Sequence, residues 1–239
     1  MAGAAFSGSF PGWNLAVLCA AQEMGVRLVY AASAGSSMFG ANQPELTFLD
    51  MLLHLIDDGL LSESPALFSL GGDWDCGMEM FDEERELLYE RFSNGSVPFL
   101  SERDYEKNVA YRLALYEELG PIDCFIGVGG NVTTIGRGED TLPCGVIRPG
   151  YAAKTNAESG LLEIYLARGI PVIHLLNIKQ LAADYGVPYD PETPSVIGEG
   201  AVYYETLPPK LIPLAGLVLS AAVLVLGRLY RKKREAAHV

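Results

Sequence analysis

Apolar residues recur with two different spacings along this chain, and the alternation of the two spacings indicates strands and helices. Short, almost wholly apolar runs such as VRLVYAAS (26–33) and DCFIGVGG (123–130) have the length and content of strands buried on both faces. Between such runs lie segments like LTFLDMLLHLIDDG (46–59), where apolar residues recur every three or four positions, as on one face of a helix. The pattern therefore predicts strands that alternate with helices.

The order of these segments predicts the fold class. Strands that alternate with helices of 10–18 residues pair in parallel, so we expect an open, mostly parallel α/β sheet with helices on both faces, a Rossmann-like architecture, in residues 1–206. The predicted strands are AGAAF, VRLVYAAS, PALFSLGG, VPFL, DCFIGVGG and IPVIHLL, and the predicted helices are WNLAVLCAAQEMG, LTFLDMLLHLIDDG, DEERELLYERFSNG with Asp82 as its cap, ERDYEKNVAYRLALYEELG and ESGLLEIYLARG.

A different kind of segment closes the chain. No charged residue occurs from 211 to 227, and Arg228 and Tyr230 can reach an interface, so 211–230 is long enough for a transmembrane helix. A core helix of a soluble protein would show a polar face, which this segment lacks. Residues 207–210 are expected to form a linker, and the basic tail 231–239 to lie in the cytoplasm, which places the α/β domain outside it.

Charge separates the body from this tail. The chain has a net charge of −13, and five basic residues and one acidic residue follow Leu211, so residues 1–210 carry −17. An acidic surface of this kind repels the phosphates of nucleic acid, which excludes nucleic acid as a partner. An acidic ligand would need a local pocket that overcomes the same repulsion.

The N-terminus and the cysteines bear on the compartment. No basic region or long apolar stretch of an export signal precedes AGAAF (2–6), which looks like a strand leading into a turn. We therefore expect the chain to be truncated at its N-terminus; the alternative is a tail-anchored protein with its body in the cytoplasm. Cys19, Cys76, Cys124 and Cys144 form no C-x-x-C motif and are expected to be free, buried thiols.

Five segments carry a resemblance to a known family. They are FSGSFPGWNLAVLCAAQEMG, SAGSSMFGANQPELTFLDM, SLGGDWDCG, VGGN and GIPVIHLLNIKQLAADYGVPYDP, and together they resemble the poly-γ-glutamate system protein family, which accompanies the machinery that makes poly-γ-glutamate. The resemblance spans nearly the whole body. It implies a membrane protein with an extracytoplasmic α/β domain and a further membrane segment ahead of the first strand, but no reaction and no catalytic residues.

Small and polar residues cluster in the loops that follow the predicted strands. Ligands bind open α/β sheets beyond the carboxyl ends of the strands, where loops 7–12, 33–42, 69–77 and 128–136 should meet. We expect this edge to bind a small carboxylate, such as the end of a γ-linked glutamate chain. The predicted ligand-binding residues are Ser7, Gly8, Ser9, Gly71, Gly72, Asp73, Gly129, Gly130, Asn131 and Asn177.

The first of these loops, SGSFPG, predicts an anion site made of backbone N–H groups. Gly8 is expected to adopt positive φ, Ser9 to cap the following helix, and Pro11 to occupy its first turn. Neither GxGxxG nor GxxxxGK[ST] occurs, so we expect no dinucleotide, no P-loop nucleotide and no cofactor. The alternative is a capped turn that binds nothing.

An enzymatic function is the second hypothesis. Ser9, His174 and Asp73, or Asp75 in its place, could form a Ser-His-Asp arrangement in a hydrolase or transferase acting on γ-glutamyl substrates. Neither Ser7 nor Ser9 lies in a G-x-S-x-G motif, and a histidine inside a buried strand is more often a structural residue than a catalyst. The spacing of the two aspartates matches no calcium loop, so no metal is predicted.

The membrane helix decides between the two hypotheses. Gly216 and Ser220 lie four residues apart and form a pair of small residues that permits close helix packing in a bilayer. We therefore expect a membrane-anchored accessory or binding component of a poly-γ-glutamate synthesis or export system. Its expected partners are the lipid bilayer and other membrane subunits of that system.

Overall fold

A computed structural model describes residues 1–35, 40–138, 142–150, 155–193, 196–198 and 211–236. The chain divides into two compact units, Met1–Asp184 and Tyr185–Val239. The strands are β1 (Ala2–Phe6), β2 (Leu28–Ser33), β3 (Asn42–Gln43), β4 (Leu46–Thr47), β5 (Leu67–Ser69), β6 (Phe99–Leu100), β7 (Cys124–Val128), β8 (Gly145–Ile147) and β9 (Val172–Leu175). The α-helices are α1 (Pro11–Glu23), α2 (Phe48–Asp57), α3 (Asp82–Ser93), α4 (Tyr105–Leu119), α5 (Val132–Ile135), α6 (Leu161–Ala167), α7 (Ile178–Tyr185) and α8 (Leu211–Ala236).

Seven of these strands form one sheet in the order β6-β5-β2-β1-β7-β9-β8. Every neighbouring pair in it is parallel except β8 and β9, which are antiparallel. The prediction of a mostly parallel α/β sheet is confirmed, and the six predicted strands correspond to β1, β2, β5, β6, β7 and β9. The small ribbon β3–β4 stands apart from this sheet.

The sequence pattern missed the short strands β3, β4 and β8, the helix α5 and the eight-residue helix α7. The edge strand β8 has only three residues, and its central residue, Val146, is exposed, so no apolar run marks it. Helix α5 is a single turn. The prediction that Asp82 caps α3 is wrong: Phe81 holds the cap position and Asp82 is the first helical residue. Asp82, Glu83 and Glu84 thus fill the first turn, where carboxylates favour the helix dipole.

Each face of the sheet has its own hydrophobic core. Alternate residues of β1 point to opposite faces, so Ala4 and Phe6 belong to one core and Ala5 to the other. The first core packs against α1, α2 and α3, and the second packs against α4 and α6. Both faces of the sheet are therefore covered by helices, which explains why the strands read as continuous apolar runs.

Helix α4 is tied to the centre of the sheet by one buried hydroxyl. The Tyr116 hydroxyl accepts a hydrogen bond from the N–H of Ala31 in β2 (3.2 Å) and donates one to the carbonyl of Ala4 in β1. Burial raises the pKa of Tyr116, so the hydroxyl keeps the proton that it donates. This contact fixes the position of α4 beside the sheet, which matters because α4 carries part of the candidate site.

The second unit contains the apolar helix. Within α8, residues Ile212–Tyr230 are long and apolar enough to cross a membrane, with a mean hydropathy of 2.1. The predicted apolar segment is thus confirmed as a helix. The helix also runs on to Ala236 through the basic residues that were predicted as a separate tail, because Arg, Lys, Glu and Ala all favour helix. The predicted linker 207–210 lies outside the described residues.

The four cysteines are free thiols, as predicted, but they are not all buried. Cys76 is buried, and Cys124 and Cys144 are partly buried, whereas Cys19 is exposed on α1. The helical pattern around Cys19 indicated a helix correctly but did not indicate which face it occupies.

Candidate functional site

The order of the strands creates one point where neighbouring strands lead the chain in opposite directions. From β1 the chain builds outward through β2, β5 and β6, and it then returns to β7, on the other side of β1, and continues to β9. In open α/β sheets, ligands bind beyond the carboxyl ends of the strands at such a switch point. The loops that follow β1 and β7, which hold most of the predicted ligand-binding residues, flank it.

The turn after β1 is closed by its own hydrogen bonds. The Ser7 and Ser9 hydroxyls lie 3.1 Å apart, and the Ser9 N–H donates to Ser7 Oγ at 3.3 Å. The Ser7 carbonyl accepts from Asn14 Nδ2 at 2.8 Å. The prediction that Ser9 caps α1 is wrong, since Phe10 is the cap residue and no side chain accepts a hydrogen bond there; Pro11 does begin the helix, as predicted.

Gly8 is required for a different reason from the one predicted. Its φ is not positive. A Cβ atom at this position would lie 2.2 Å from the carbonyl oxygen of Ala34, because the loops after β1 and β2 pass at backbone contact. Gly129 does have a positive φ of 85°, and its Cβ atom would lie 2.6 Å from Cβ of Ser7. The loops after β1, β2 and β7 therefore pack directly against one another.

The start of α1 remains open at this edge. Because no side chain caps the helix, the free N–H groups of its first turn find no side-chain acceptor in the described part of the chain. Gly12, in that first turn, is exposed, and no atom of the described residues lies within 4 Å of the position that a Cβ would take. The positive end of this 13-residue helix thus lies beside the switch point without a side-chain cap among the described residues.

A buried polar cluster lies next to this edge, around Asp75. The Asp75 side chain has no exposed surface. Its Oδ1 accepts hydrogen bonds from Ser69 Oγ (2.8 Å) and Asn131 Nδ2 (2.9 Å), and its Oδ2 accepts from Asn108 Nδ2 (3.1 Å) and Arg112 Nη2 (2.5 Å). The carboxylate is therefore both charge-paired and fully hydrogen-bonded, as a buried carboxylate must be.

Further hydrogen bonds inside the cluster show that it is structural. Arg112 also donates to Asn108 Oδ1 and to Ser69 Oγ, at 2.8 and 3.0 Å. Asn131 Oδ1 accepts from the N–H and the hydroxyl of Thr133, at 2.9 and 2.7 Å, and so caps α5. Asn131 was predicted to orient a ligand carboxylate; the carboxylate that it orients in the structure is Asp75.

Sequence reasoning found only part of this cluster. Asp75 and Asn131 were candidates, but Asn108 and Arg112 were not. The available signal was their spacing: they lie four residues apart on the buried face of α4, where Tyr105, Val109 and Tyr116 also lie. A polar pair on the core face of a helix implies a buried partner elsewhere in the chain.

The loop between β5 and the Asp75 cluster is tightly folded. Gly71 and Gly72 have φ values of 75° and 69°, and a Cβ on Gly72 would lie 1.9 Å from Glu79 Oε2. Trp74 and Asp75 are also left-handed, at 59° and 58°, which is unusual for residues that are not glycine. The side chain of Asp73, predicted as a ligand-binding or catalytic residue, lies outside the described residues.

A surface cleft of about 520 Å³ opens beside Trp74. The guanidinium of Arg137 lies over the Trp74 ring, 4.4 Å from its centroid, and over the Tyr105 ring, 5.1 Å from its centroid. The lining consists of Trp74, Arg103, Asp104, Tyr105, Glu106, Arg137, Ala157 and Glu158. None of these residues except Trp74 drew attention in the sequence.

His174 does not form the predicted catalytic arrangement. It is 1% exposed in β9, with Nδ1 close to the carbonyl oxygens of Leu142 (3.1 Å) and Pro143 (3.3 Å). Its buried Nε2 has no hydrogen-bond partner, so neither Ser9 nor a carboxylate engages the ring in the described part of the chain. Burial lowers the pKa of His174, because it disfavours the charged imidazolium.

Asn177, another predicted ligand-binding residue, acts as a helix cap. Its Oδ1 accepts a hydrogen bond from the N–H of Gln180 (3.1 Å) at the start of α7. Among the described residues there is also no group of three or more His, Cys, Asp and Glu side chains placed to hold a metal ion.

Comparison with protein-family models, with curated proteins and with solved structures yields no match to this chain. The resemblance to the poly-γ-glutamate system family thus stays a prediction from the quoted motifs.

The Asp75 cluster makes a prediction for stability. Asp75→Asn keeps the shape of the side chain but leaves the buried Arg112 guanidinium without its counter-charge, so we expect the free energy of unfolding to fall by about 3–5 kcal/mol. Arg112→Met should cost a similar amount, because it leaves Asp75 unpaired. The double variant should recover part of the loss, as measured by chemical denaturation. Strictly additive losses would show that the two charges are not coupled.

The neutral state of His174 makes a prediction for pH. The unfolded chain binds a proton near the ordinary value of 6.5, whereas the folded protein binds it only at lower pH, because burial disfavours the charge. Above pH 6.5 the imidazole is neutral in both states, and the free energy of unfolding keeps its full value. As the pH falls through and below 6.5, the unfolded chain takes up the proton first, and the free energy of unfolding decreases. His174→Asn keeps a donor for the Leu142 carbonyl and should remove this part of the pH dependence in denaturation curves.

Proposed function

We propose that this chain is a membrane-anchored binding component of a poly-γ-glutamate synthesis or export system, with a carboxylate-binding edge on a Rossmann-like domain. The observation that carries the proposal is the uncapped start of α1 at the switch point between β1 and β7. Helix N-termini at such points are common anion-binding positions, because free N–H groups and the helix dipole both favour negative charge. The ligand carboxylate takes the place of the missing side-chain cap.

The acidity of the body supports a local site of this kind. Residues 1–210 carry −17, so the general surface repels a polyanion, and binding depends on a few places where positive charge is fixed. Poly-γ-glutamate has a free α-carboxylate on every residue, and a single carboxylate is small enough for the first turn of a helix. The exposed position of Gly12 leaves the approach to that turn open.

The apolar helix supports membrane anchoring. Residues 212–230 would span the bilayer, and the basic residues behind them would stay in the cytoplasm with the α/β domain on the opposite side. Within α8 the Ser220 hydroxyl donates to the Gly216 carbonyl at 2.8 Å, so this polar group is satisfied inside the helix. The small surface at Gly216 and Ser220 is then suited to close packing with the helix of another membrane subunit.

Gly12 provides a direct test of the anion site. Gly12→Asp places a carboxylate beside the free N–H groups of α1, where it should compete with the ligand and weaken binding of γ-linked glutamate oligomers about tenfold. Gly12→Ala adds a side chain without charge and should leave binding unchanged. Trp13, next in the sequence, reports the titration by its fluorescence when Trp74 is replaced by Phe in the full chain held in detergent. Equal binding by Gly12→Asp and Gly12→Ala would contradict the proposal.

The orientation can be tested in intact cells. We expect a peptide tag at the C-terminus to resist added protease until the membrane is permeabilised, because the basic end of α8 stays in the cytoplasm. A tag inserted at the exposed turn of Asp58 and Gly59 should be cleaved in intact cells. Cleavage of the C-terminal tag from outside would reverse the proposed orientation.

A further inference from the structure

At the edge of the cleft, Trp74 and Asp75 have an energetically unfavourable backbone conformation. In the described part of the chain, only Trp74, Asp75 and Asp190 are non-glycine residues with positive φ, and for a bulky residue such as Trp this conformation is an outlier. Left-handed non-glycine residues are energetically unfavourable and persist only where surrounding contacts enforce them. The four hydrogen bonds to the Asp75 carboxylate enforce them here.

The strain keeps the Trp74 ring at the surface. The side chain is 46% exposed, although tryptophan normally buries most of its area. One face of the ring meets the Arg137 guanidinium, whose other neighbour is the Tyr105 ring. An arginine stacked between aromatic rings loses little further freedom when it binds a ligand, so its fork of donors is prepared for a carboxylate.

The Arg137 guanidinium has no carboxylate partner in the described part of the chain. Among the described residues, no carboxylate lies within ion-pair distance of Arg137 or of Arg103, the second guanidinium of the cleft, although the body is strongly acidic. Several arginines of the domain are paired, Arg85 with Asp82, Arg91 with Asp50 and Arg168 with Glu117, whereas Arg27 and Arg148 are, like Arg137, without an ion pair among the described residues. Within the described part of the chain, the cleft thus holds two guanidinium groups that form no ion pair.

The same lining contains negative groups. Glu106 and Glu158 are exposed there and form no ion pair in the described part of the chain, while Asp104 caps α4 and pairs with Lys107 at 3.4 Å. Guanidinium groups and carboxylates that share one cleft without pairing match a ligand that carries both charges. A carboxylate on the ligand satisfies the arginines, and an ammonium group satisfies the glutamates.

We propose that this cleft binds the free amino end of an amino acid or of a γ-linked glutamate chain, where an α-ammonium and an α-carboxylate stand on the same carbon. Arg137 and Arg103 take the carboxylate, Glu158 and Glu106 take the ammonium group, and the Trp74 ring packs against the methylene groups between them. A volume of about 520 Å³ lies within the range of small-molecule sites and accommodates a dipeptide. The γ-glutamyl identity of the ligand rests on the proposed function; its zwitterionic class does not.

The two tryptophans of the chain allow the two sites to be read separately. With Trp13 replaced by Phe, the fluorescence of the full chain in detergent reports Trp74 alone. We expect γ-glutamylglutamate to change this emission saturably, and N-acetyl-γ-glutamylglutamate and glutarate, which lack the ammonium group, to bind about tenfold more weakly. A response that is equal for all three compounds would overturn the zwitterionic assignment.

Substitutions in the cleft assign the charges. Arg137→Gln should weaken γ-glutamylglutamate and its N-acetyl form alike, by about tenfold or more. Glu158→Gln should weaken γ-glutamylglutamate but leave the N-acetyl form unchanged. The control is Arg168→Gln, which removes another exposed arginine that lies over an aromatic ring, Tyr165, and it should change neither. All three residues are exposed, and thermal unfolding of each variant verifies that it is folded.

The outcomes separate this inference from the proposed function. Absence of a saturable change in Trp74 emission, or binding that Arg137→Gln does not weaken, would overturn the assignment of the cleft. If, in that case, the emission of Trp13 in the Trp74→Phe chain still responds to γ-linked oligomers, the anion site at α1 is supported without the cleft. If Trp74 responds to free glutamate and to other α-amino acids as strongly as to γ-glutamylglutamate, the zwitterionic cleft stands and its γ-glutamyl identity is wrong.

Discussion

The buried carboxylate of Asp75 is the constraint on which the functional edge of this domain depends. Through its two oxygens it joins the end of β5, helix α4 and the loop after β7, segments that are far apart in the sequence. Taking such a charge out of water is expensive, and only the Arg112 guanidinium with three further donors offsets the cost. Because every acceptor position is used, the loop that carries Asp75 has essentially one arrangement.

That arrangement has consequences beyond stability. The left-handed backbone at Trp74 and Asp75 directs one side chain inward to the cluster and leaves the other at the surface. Asn131 links Asp75 to α5. Its amide nitrogen donates a hydrogen bond to Asp75, and its oxygen caps the helix. The far end of α5 leads to Arg137, so both the platform and the guanidinium of the cleft are positioned from one buried group.

The sequence was sufficient for the sheet and insufficient for this cluster, for physical reasons. The local spacing of apolar residues predicts strands and helices, and the six strands predicted in this way all lie in the sheet. Asn108 and Arg112 have partners 33 and 37 residues away, and a local pattern cannot name them. Gly8 shows the same limit: a glycine in a turn suggested positive φ, but the reason for it is the carbonyl of Ala34 on the neighbouring loop.

The distribution of charge on the domain determines how this edge could bind a polyanion. At physiological ionic strength, charges more than about 8 Å apart are largely screened, so the acidic surface acts mainly on the parts of a polymer that lie along it. Direct contacts at the start of α1 or at Arg137 act at much shorter range and are least screened where they are partly enclosed. Attraction is thus confined to one or two residues of a long chain, while the remaining carboxylates are repelled. Under the proposed function, this balance of charge favours binding the end of a polymer over binding along its length.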